Sequence, residues 1–408
     1  MNKSNNRIAL IMDGSRRNYD VAIALERKGC LETVFSDWFA SPWSAQKCVS
    51  TLIRFLGLSI GKKMSERYSP HIPCKRIKTN SRLVLRSQFQ KRKYDNSVEF
   101  WKWLSEMTTE WVVKEGFGKA NGLYGYIRNI DPALCELARE RGMKVVAEQM
   151  IAPSAIEKLE YESQQAKWPD WEKRSSTDVF NLVSDIEEAT WKNVDKIVAP
   201  SQYVVDGLIK QGIDSSQIEH IPYPADFAAH YLVDRSSRKT QLTVGFVGQI
   251  NLRKNAPVFL ETAKKMHSAN IKFVMVGGNQ LNDGILEKYR DFVQFTGVIP
   301  RSEVKTQLSS FDAFLFPSTC EGSAGAVLEA MATGLPILTT HNSGTLVTDG
   351  VDGFILEPDN IDGFIDRINQ LCRDPDLRLE LGRKAASRIR KLDLENYGDA
   401  IDRTFSNC

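Results

Sequence analysis

Long apolar runs are missing from this 408-residue chain. The best candidate, Thr51–Ile60, is short and carries Arg54, well below the roughly 20 apolar residues that a membrane-spanning helix needs. The N-terminal stretch Ile8 to Met12 is interrupted by Asp13, too early for a signal-peptide core. Seven cysteines are scattered singly, with no Cys-x-x-Cys pair and no His at metal-ligand spacing. That pattern excludes a disulfide framework and reads as reduced thiols in a cytoplasmic protein. A large charge of one sign is also lacking: 54 Lys+Arg against 51 Asp+Glu leave +3, which argues against a wholly basic nucleic-acid binder. No internal repeat and no low-complexity tract is present.

What is present is an ordinary globular composition, 42% hydrophobic and 26% charged, and a length that suits two or three domains. Arg7–Met12 is a short apolar run that breaks at Asp13-Gly14, and Asp20–Lys28 then reads as a helix that Gly29 stops. The same grammar recurs at Lys144–Ala147, Lys196–Pro200, Leu242–Gly248, Lys272–Gly277, Phe292–Phe295, Asp312–Phe316 and Pro336–Thr340. β-Branched and aromatic runs alternating with helix-length segments indicate an α/β fold with doubly wound parallel sheets. Two prolines at Ile221-Pro-Tyr-Pro-Ala-Asp and the polar run from Asp234 break the rhythm. The expected units are therefore 1–225 and 226–391, two Rossmann-like domains facing each other across a cleft, and a terminal helix at 392–408 with Leu394, Tyr397, Ile401 and Phe405 on one stripe.

The chemistry concentrates between Ser310 and Thr340. Asp312–Phe316 reads as a buried strand, Pro317–Gly322 as a loop, and Gly325–Thr333 as a helix closed by Gly334. Small residues at Gly322, Ser323, Ala324 and Gly325 leave backbone N–H groups open at the positive end of a helix, a setting that favours phosphate. Glu321 and Glu329 flank this turn. Either alone reads as a stabilising carboxylate near a helix start, but together they suit a sugar nucleotide, because carboxylates accept hydrogen bonds from vicinal hydroxyls. A cationic element follows the first strand of the second half, where Gly248 permits close approach and Arg253 and Lys254 precede a helix at Ala256-Pro257.

These residues resemble family 4 of the retaining glycosyltransferases, which have the GT-B fold. The likeness rests on the E-x7-E of Glu321 and Glu329, Phe316-Pro-Ser, Glu329-Ala-Met-Ala-x-Gly-x-Pro, and Asp349-Gly-Val-Asp-Gly-Phe-Ile. It extends from about Leu242 to Pro358, and the first 190 residues match only in outline. The resemblance implies that Glu321 contacts the donor sugar, Glu329 the ribose, and Lys254 the diphosphate. The backbone of Ser323, Ala324 and Gly325 would complete the cradle, and Val298 and Ile299 would border the base. The chain departs from the family at Gln249, where Arg is common, so Arg253 is expected to supply that charge. It departs again at Gly322-Ser-Ala-Gly, Thr345 and Pro224, and His71 has no matching context.

The implied activity is a metal-independent, retaining transfer of a hexose from a UDP- or GDP-type nucleotide sugar, without a cofactor, to a glycan or lipid-linked acceptor of the polysaccharide or glycolipid type. Gly14, Arg16 and Arg17, in the first turn of the N-terminal half, are expected to face the cleft on the acceptor side. The other readings are a sugar-nucleotide epimerase or hydrolase, and a non-catalytic nucleotide-sugar-binding scaffold. Between Lys47 and Lys93 lie 13 Lys/Arg against a single acid, Glu66. This window reads either as a solvated insertion or as a contact with an anionic partner, whether a phosphorylated acceptor, nucleic acid or the inner face of an anionic membrane met peripherally. Aromatic residues are too sparse in it for nucleic acid, which is not expected as a partner.

Overall fold

The computed structural model describes residues 5–408 apart from 43, 56–60, 62–63, 95–96, 175, 226–232, 234–240 and 268–269. Two all-parallel sheets organise it. The first contains β1 (Ile8–Met12), β2 (Leu31–Ser36), β3 (Ile77–Thr79), β4 (Gly122–Tyr126), β5 (Lys144–Glu148), β6 (Lys196–Ala199) and β7 (Ile218–His220), in the order β3-β2-β1-β4-β5-β6-β7. The second contains β8 (Leu242–Val247), β9 (Ile271–Val276), β10 (Val293–Phe295), β11 (Ala313–Phe316), β12 (Ile337–Thr339) and β13 (Gly353–Ile355), in the order β10-β9-β8-β11-β12-β13.

Helices of the first half are α1 (Asp20–Lys28), α2 (Ala45–Phe55), α3 (Ser81–Gln90), α4 (Ser97–Glu115), α5 (Pro132–Glu140), α6 (Ser154–Lys167), α7 (Asp178–Trp191) and α8 (Gln202–Lys210). The second half adds α9 (Ala256–Lys265), α10 (Arg301–Ser310), α11 (Gly325–Ala332), α12 (Ile361–Arg373), α13 (Pro375–Ile389) and α14 (Leu394–Ser406). Each sheet therefore follows the doubly wound order in which the chain reverses beside its first strand. In the first sheet β1 pairs with both β2 and β4, and in the second β8 pairs with both β9 and β11. Loops leaving the carboxyl ends of those strands diverge there and open a crevice. Segments 13–19, 248–255 and 317–324 lie at these two switch points, so the fold assembles the chemistry-bearing residues before any side chain is considered.

The strands are continuous apolar runs because helices cover both faces. Phe246, Phe314 and Phe316 stack in the second sheet, with Phe246 and Phe316 centroids 5.5 Å apart and Phe314 and Phe316 6.0 Å apart. β2, β3, β4, β7 and β13 have no counterpart in the sequence reading. Strand β4 is hidden by its glycines, which weaken strand propensity. A Cβ on Gly122 would lie 2.7 Å from the Phe405 ring, so the missing side chain admits the last helix.

That last helix, α14, packs on α1 and on the N-terminal edge of the first sheet. Leu394, Tyr397, Ile401 and Phe405 are all buried. Lys28 pairs with Asp399 at 2.5 Å, Asn6 Nδ2 donates to Asp402 Oδ1 at 2.8 Å, and Lys144 Nζ donates to the Phe405 carbonyl at 2.8 Å. Ala225 donates to the Leu392 carbonyl at 2.7 Å, so the chain after β7 lies beside the chain that enters α14. Of the expected boundary after 225 and the expected hinge at 222–240, residues 226–232 and 234–240 lie outside the described residues. Phe405→Ala should cost about 3–5 kcal/mol, the usual range for emptying a buried aromatic site. Calorimetry should show the lowered transition, and an unchanged midpoint would mean that α14 does not anchor the first domain.

Candidate active site

On the first-domain side, the loop after β1 adopts an unusual backbone. Arg17, Asn18 and Tyr19 have φ of 45°, 55° and 70°. Three consecutive left-handed L-residues cost roughly 1–2 kcal/mol each, so the surroundings must hold them. Arg17 sits 3.6 Å from the centroid of the Tyr223 ring, donates to the Pro224 carbonyl at 3.2 Å and pairs with Asp20 at 3.1 Å. Tyr19 is buried, with the Phe39 ring centroid 5.5 Å away. Tyr223 in turn donates to buried Glu148 at 2.5 Å, as Tyr124 does at 2.8 Å. Burial raises the Glu148 pKa, against the pull of those hydroxyls and of Arg17 and Arg16.

Arg16 turns away from the cleft. Its Nη2 donates to Asn129 at 2.6 Å, its Nη1 to the Met150 sulfur at 3.2 Å, and the group lies 5.0 Å from the Tyr126 ring centroid. Gly14 donates its N–H to Asp37 at 2.8 Å, and Asp37 pairs with Arg67 at 2.5 Å. Asp13 accepts from Asn129 at 3.0 Å, and burial together with the Asp37 charge pushes its pKa up to about 6.

On the second-domain side, Asn251 Oδ1 accepts the Lys254 N–H at 2.9 Å and shapes the turn that leads into α9. This turn aims two cations at one carboxylate. Arg253 Nη1 donates to Glu321 Oε1 at 2.7 Å and to the Cys320 carbonyl at 2.9 Å, while Lys254 Nζ donates to the same Oε1. Ser318 Oγ adds a third donor to Oε1 at 3.1 Å. Glu321 is only 8% exposed, so without these partners its charge would be costly. Burial depresses the Lys254 pKa, against the pull of Glu321, and the Arg253 charge adds to the depression. Arg253 thus lies beside Lys254, and both cations pair with Glu321.

Glu329, on the first turns of α11, accepts from Arg301 at 3.0 Å. Burial raises its pKa and Arg301 opposes that rise. A cleft of about 890 Å³ separates the two sides. Gly248, Gly325 and Glu329 line it, facing Arg17, Asn18, Tyr68 and His71. Glu321, Lys254 and Arg253 form a knot that does not line this cavity, and neither do Gly14 and Arg16.

The glycine turn serves the domain contact as well as the helix start. A Cβ on Gly322 would lie 1.6 Å from the Met150 carbonyl oxygen, and Ser201 Oγ donates to the Gly322 carbonyl. The N–H of Ala324 is bonded to the Ser343 carbonyl at 3.1 Å, which takes it out of the open set expected from sequence. Ser323 Oγ is buried without a partner among the described residues. Gln249 and Val298 both approach Gly278, Val298 is exposed, and Ile299 packs on the core.

Sequence reasoning missed Arg301, Ser318, Asn18 and Tyr68, and left His71 unassigned. Arg301 lies two positions after Ile299, which was expected to border the base, so its position was the available signal. His71 carries no motif, because a bend between α2 and β3 brings it to the cleft. Glu187 is fully buried and accepts from Arg128 at 2.7 Å, which makes them an interior pair. Trp168 and Trp171 pack at 5.1 Å, and the Trp171 carbonyl accepts from Asn282 of the second domain, so they belong to the domain contact. The second half contains one Asp-x-Asp spacing, Asp374-Pro-Asp376, and Asp374 caps α13 by accepting the Leu377 N–H at 2.9 Å. Among the described residues no cluster of three or more His, Cys, Asp or Glu is placed to hold a metal ion.

Residues 241–374 match the family described as Glycosyl transferases group 1. The chain is 27% identical over 201 residues to the Escherichia coli UDP-Gal:alpha-D-GlcNAc-diphosphoundecaprenol alpha-1,3-galactosyltransferase, a match that covers 46% of this chain and 51% of that enzyme. The chain thus spans about half the length of that curated relative. The fold resembles sucrose-phosphate synthase from Thermosynechococcus elongatus, with a TM-score of 0.67, 17% identity and 98% of both chains covered. It also resembles Anabaena HepE in complex with UDP and glucose, with a TM-score of 0.62, 14% identity, and 99% of this chain and 100% of that chain covered. The architecture is GT-B.

The raised pKa of Asp13 gives a signed prediction. Folding favours its protonated form, so the stability it lends is present below pH 4 and is lost as the pH rises toward 6. Asp13→Asn should therefore raise the melting temperature at pH 7 while leaving it nearly unchanged at pH 4. An equal effect at both pH values would mean that the carboxyl titrates normally.

Proposed function

We propose that this protein is a retaining, metal-independent glycosyltransferase that moves a hexose from a nucleotide sugar of the UDP or GDP type to a lipid-linked or glycan acceptor. The observation that carries this reading is the pair of buried carboxylates, Glu321 held by Arg253, Lys254 and Ser318, and Glu329 held by Arg301. Both sit at the switch point of a group 1 glycosyl transferase domain. The UDP and glucose bound by HepE and the diphosphoundecaprenol acceptor of the E. coli relative support the choice of donor and acceptor class.

Each residue has a physical task in this reaction. As the bond between the anomeric carbon and the diphosphate breaks, negative charge grows on the leaving oxygens. Lys254 and Arg253 exchange part of their pairing with Glu321 for those oxygens, and the N-terminus of α11 adds its dipole. Glu321 then orients the donor sugar through its hydroxyls, and Glu329 takes the ribose in place of Arg301. The acceptor oxygen bonds to the anomeric carbon from the face that the diphosphate leaves, and its proton passes to a diphosphate oxygen. Configuration is retained, and no side chain is needed as nucleophile. Domain closure limits competing hydrolysis by excluding water.

Two substitutions separate the carboxylate roles. Glu321→Gln should lower kcat about 100-fold or more while the UDP- or GDP-induced rise in melting temperature persists. Glu329→Ala should weaken the nucleoside diphosphate itself by about tenfold or more, the scale of a charged hydrogen bond. Activity and binding unchanged in both variants would refute these assignments. Turnover should survive EDTA, and an α-linked donor should give an α-linked product by NMR. A β-linked product or complete loss of turnover in chelator would overturn that part of the proposal.

A further inference from the structure

The basic window resolves into two sets of cations. Lys47 donates to the Ser65 carbonyl, Arg67 pairs with Asp37, Arg76 with Glu26 and Glu32, and Lys78 with Glu115. These hold the first domain together. Lys75, Arg82, Arg86, Lys91 and Lys93 are exposed, the last four on α3 and the turn that follows it. Lys62 and Lys63 lie outside the described residues, as do the side chains of Arg54 and Arg92.

Large apolar side chains are exposed on the same two helices. In α2, Val49, Leu52 and Phe55 are 40%, 60% and 89% exposed, and Ala45 and Cys48 extend this stripe at helical spacing. In α3, Leu85 and Phe89 are 52% and 76% exposed, with Arg82 and Arg86 on the same stripe. The helices are neighbours: Gln46 Nε2 donates to Thr79 and Ser81 at 3.1 Å each, and Ile53 of α2 and Val84 of α3 pack into one small cluster with Trp38, Ala40 and Met64. Their inner faces thus meet the domain, while the outer face of α2 presents leucine and phenylalanine and that of α3 presents leucine and phenylalanine beside Arg82 and Arg86. Exposed apolar side chains of this size in one place mark an interaction surface.

We infer that the outer faces of α2 and α3 dock the protein on an anionic phospholipid bilayer. Amphipathic helices with cations beside buried aromatic side chains bind at the headgroup boundary, and charge complementarity selects a negatively charged surface over a neutral one. The chain from Met64 to His71 connects this layer to the cleft, since Met64 packs beneath α2 and α3 while Tyr68 and His71 line the cavity. Docking therefore holds the membrane a short stretch of chain away from that wall of the cleft. Its use for a lipid-linked acceptor rests on the proposed function, whereas docking itself does not require it.

The test is co-sedimentation of the full chain with phosphatidylcholine vesicles, with and without phosphatidylglycerol, at low and high salt. The protein should pellet with the anionic vesicles at low salt and be largely released by high salt. Phe55→Ser with Phe89→Ser should weaken vesicle binding about tenfold or more, and Arg82→Glu with Lys93→Glu should do the same on anionic vesicles only. Both variants should keep the melting temperature and any nucleotide-induced shift of the parent. Failure of the parent to pellet with anionic vesicles, or equal binding by all variants, would sink the proposal. So would sedimentation velocity showing a dimer that Phe55→Ser with Phe89→Ser makes monomeric without any vesicle binding, since the patch would then belong to a second copy. Vesicle binding without any nucleotide-induced shift would support docking and count against the transferase reading alone.

Discussion

Around Glu321 a buried negative charge must be neutralised, and the second domain is arranged to meet that need. A carboxylate so little exposed to water is tolerable only with close cations and hydrogen-bond donors. Arg253 and Lys254 come from the turn after β8, and Ser318 and Glu321 from the loop after β11. Adjacent parallel pairing of these two strands is what makes the encounter possible. Because Arg253 and Lys254 share one oxygen of Glu321, the two loops are tied together at a single point. Glu329 and Arg301 repeat the principle once more across the cleft wall.

The two domains are joined at the backbone of that same loop. Gly322 abuts Met150, Ser201 reaches the Gly322 carbonyl, and Tyr203 reaches the Thr319 carbonyl at 3.4 Å. Any movement of one domain over the other therefore acts directly on the residues that hold Glu321. On the opposite side of the cleft, the left-handed run at Arg17–Tyr19 is secured through Tyr223 and Pro224, at the start of the crossing between domains. Strain stored at a cleft loop and anchored on the interdomain segment links the shape of the first-domain wall to the relation between the two domains.

The surface of the first domain shows why composition alone is a coarse guide. Between Lys47 and Lys93 the cations look uniform in sequence, yet several are internal struts and others are exposed among phenylalanine and leucine. Helical periodicity would have drawn the apolar stripe of α2 into a core. Only the position of α2 at the margin of the domain shows that its Ile53 face is the buried one and that its Leu52 and Phe55 face is not.

Local patterns determined much of this protein. The α/β rhythm, the strands β1, β5, β6 and β8 to β12, the helix at Asp20–Lys28 and the strand-loop-helix that carries Glu321 and Glu329 were all legible, because hydrophobic period, glycine stops and helix-start residues act over a few positions. Strand β4 was not legible, since its glycines make sense only against Phe405 of the last helix. Nor was the pairing of Glu321 with Arg253 and Lys254, of Glu329 with Arg301, the approach of His71 to the cleft, or the retreat of Arg16 from it. Those outcomes depend on contacts between segments separated by tens to hundreds of positions. Residue type and spacing state which groups can bear charge or bind phosphate, but the register and order of the parallel strands decide which of them meet.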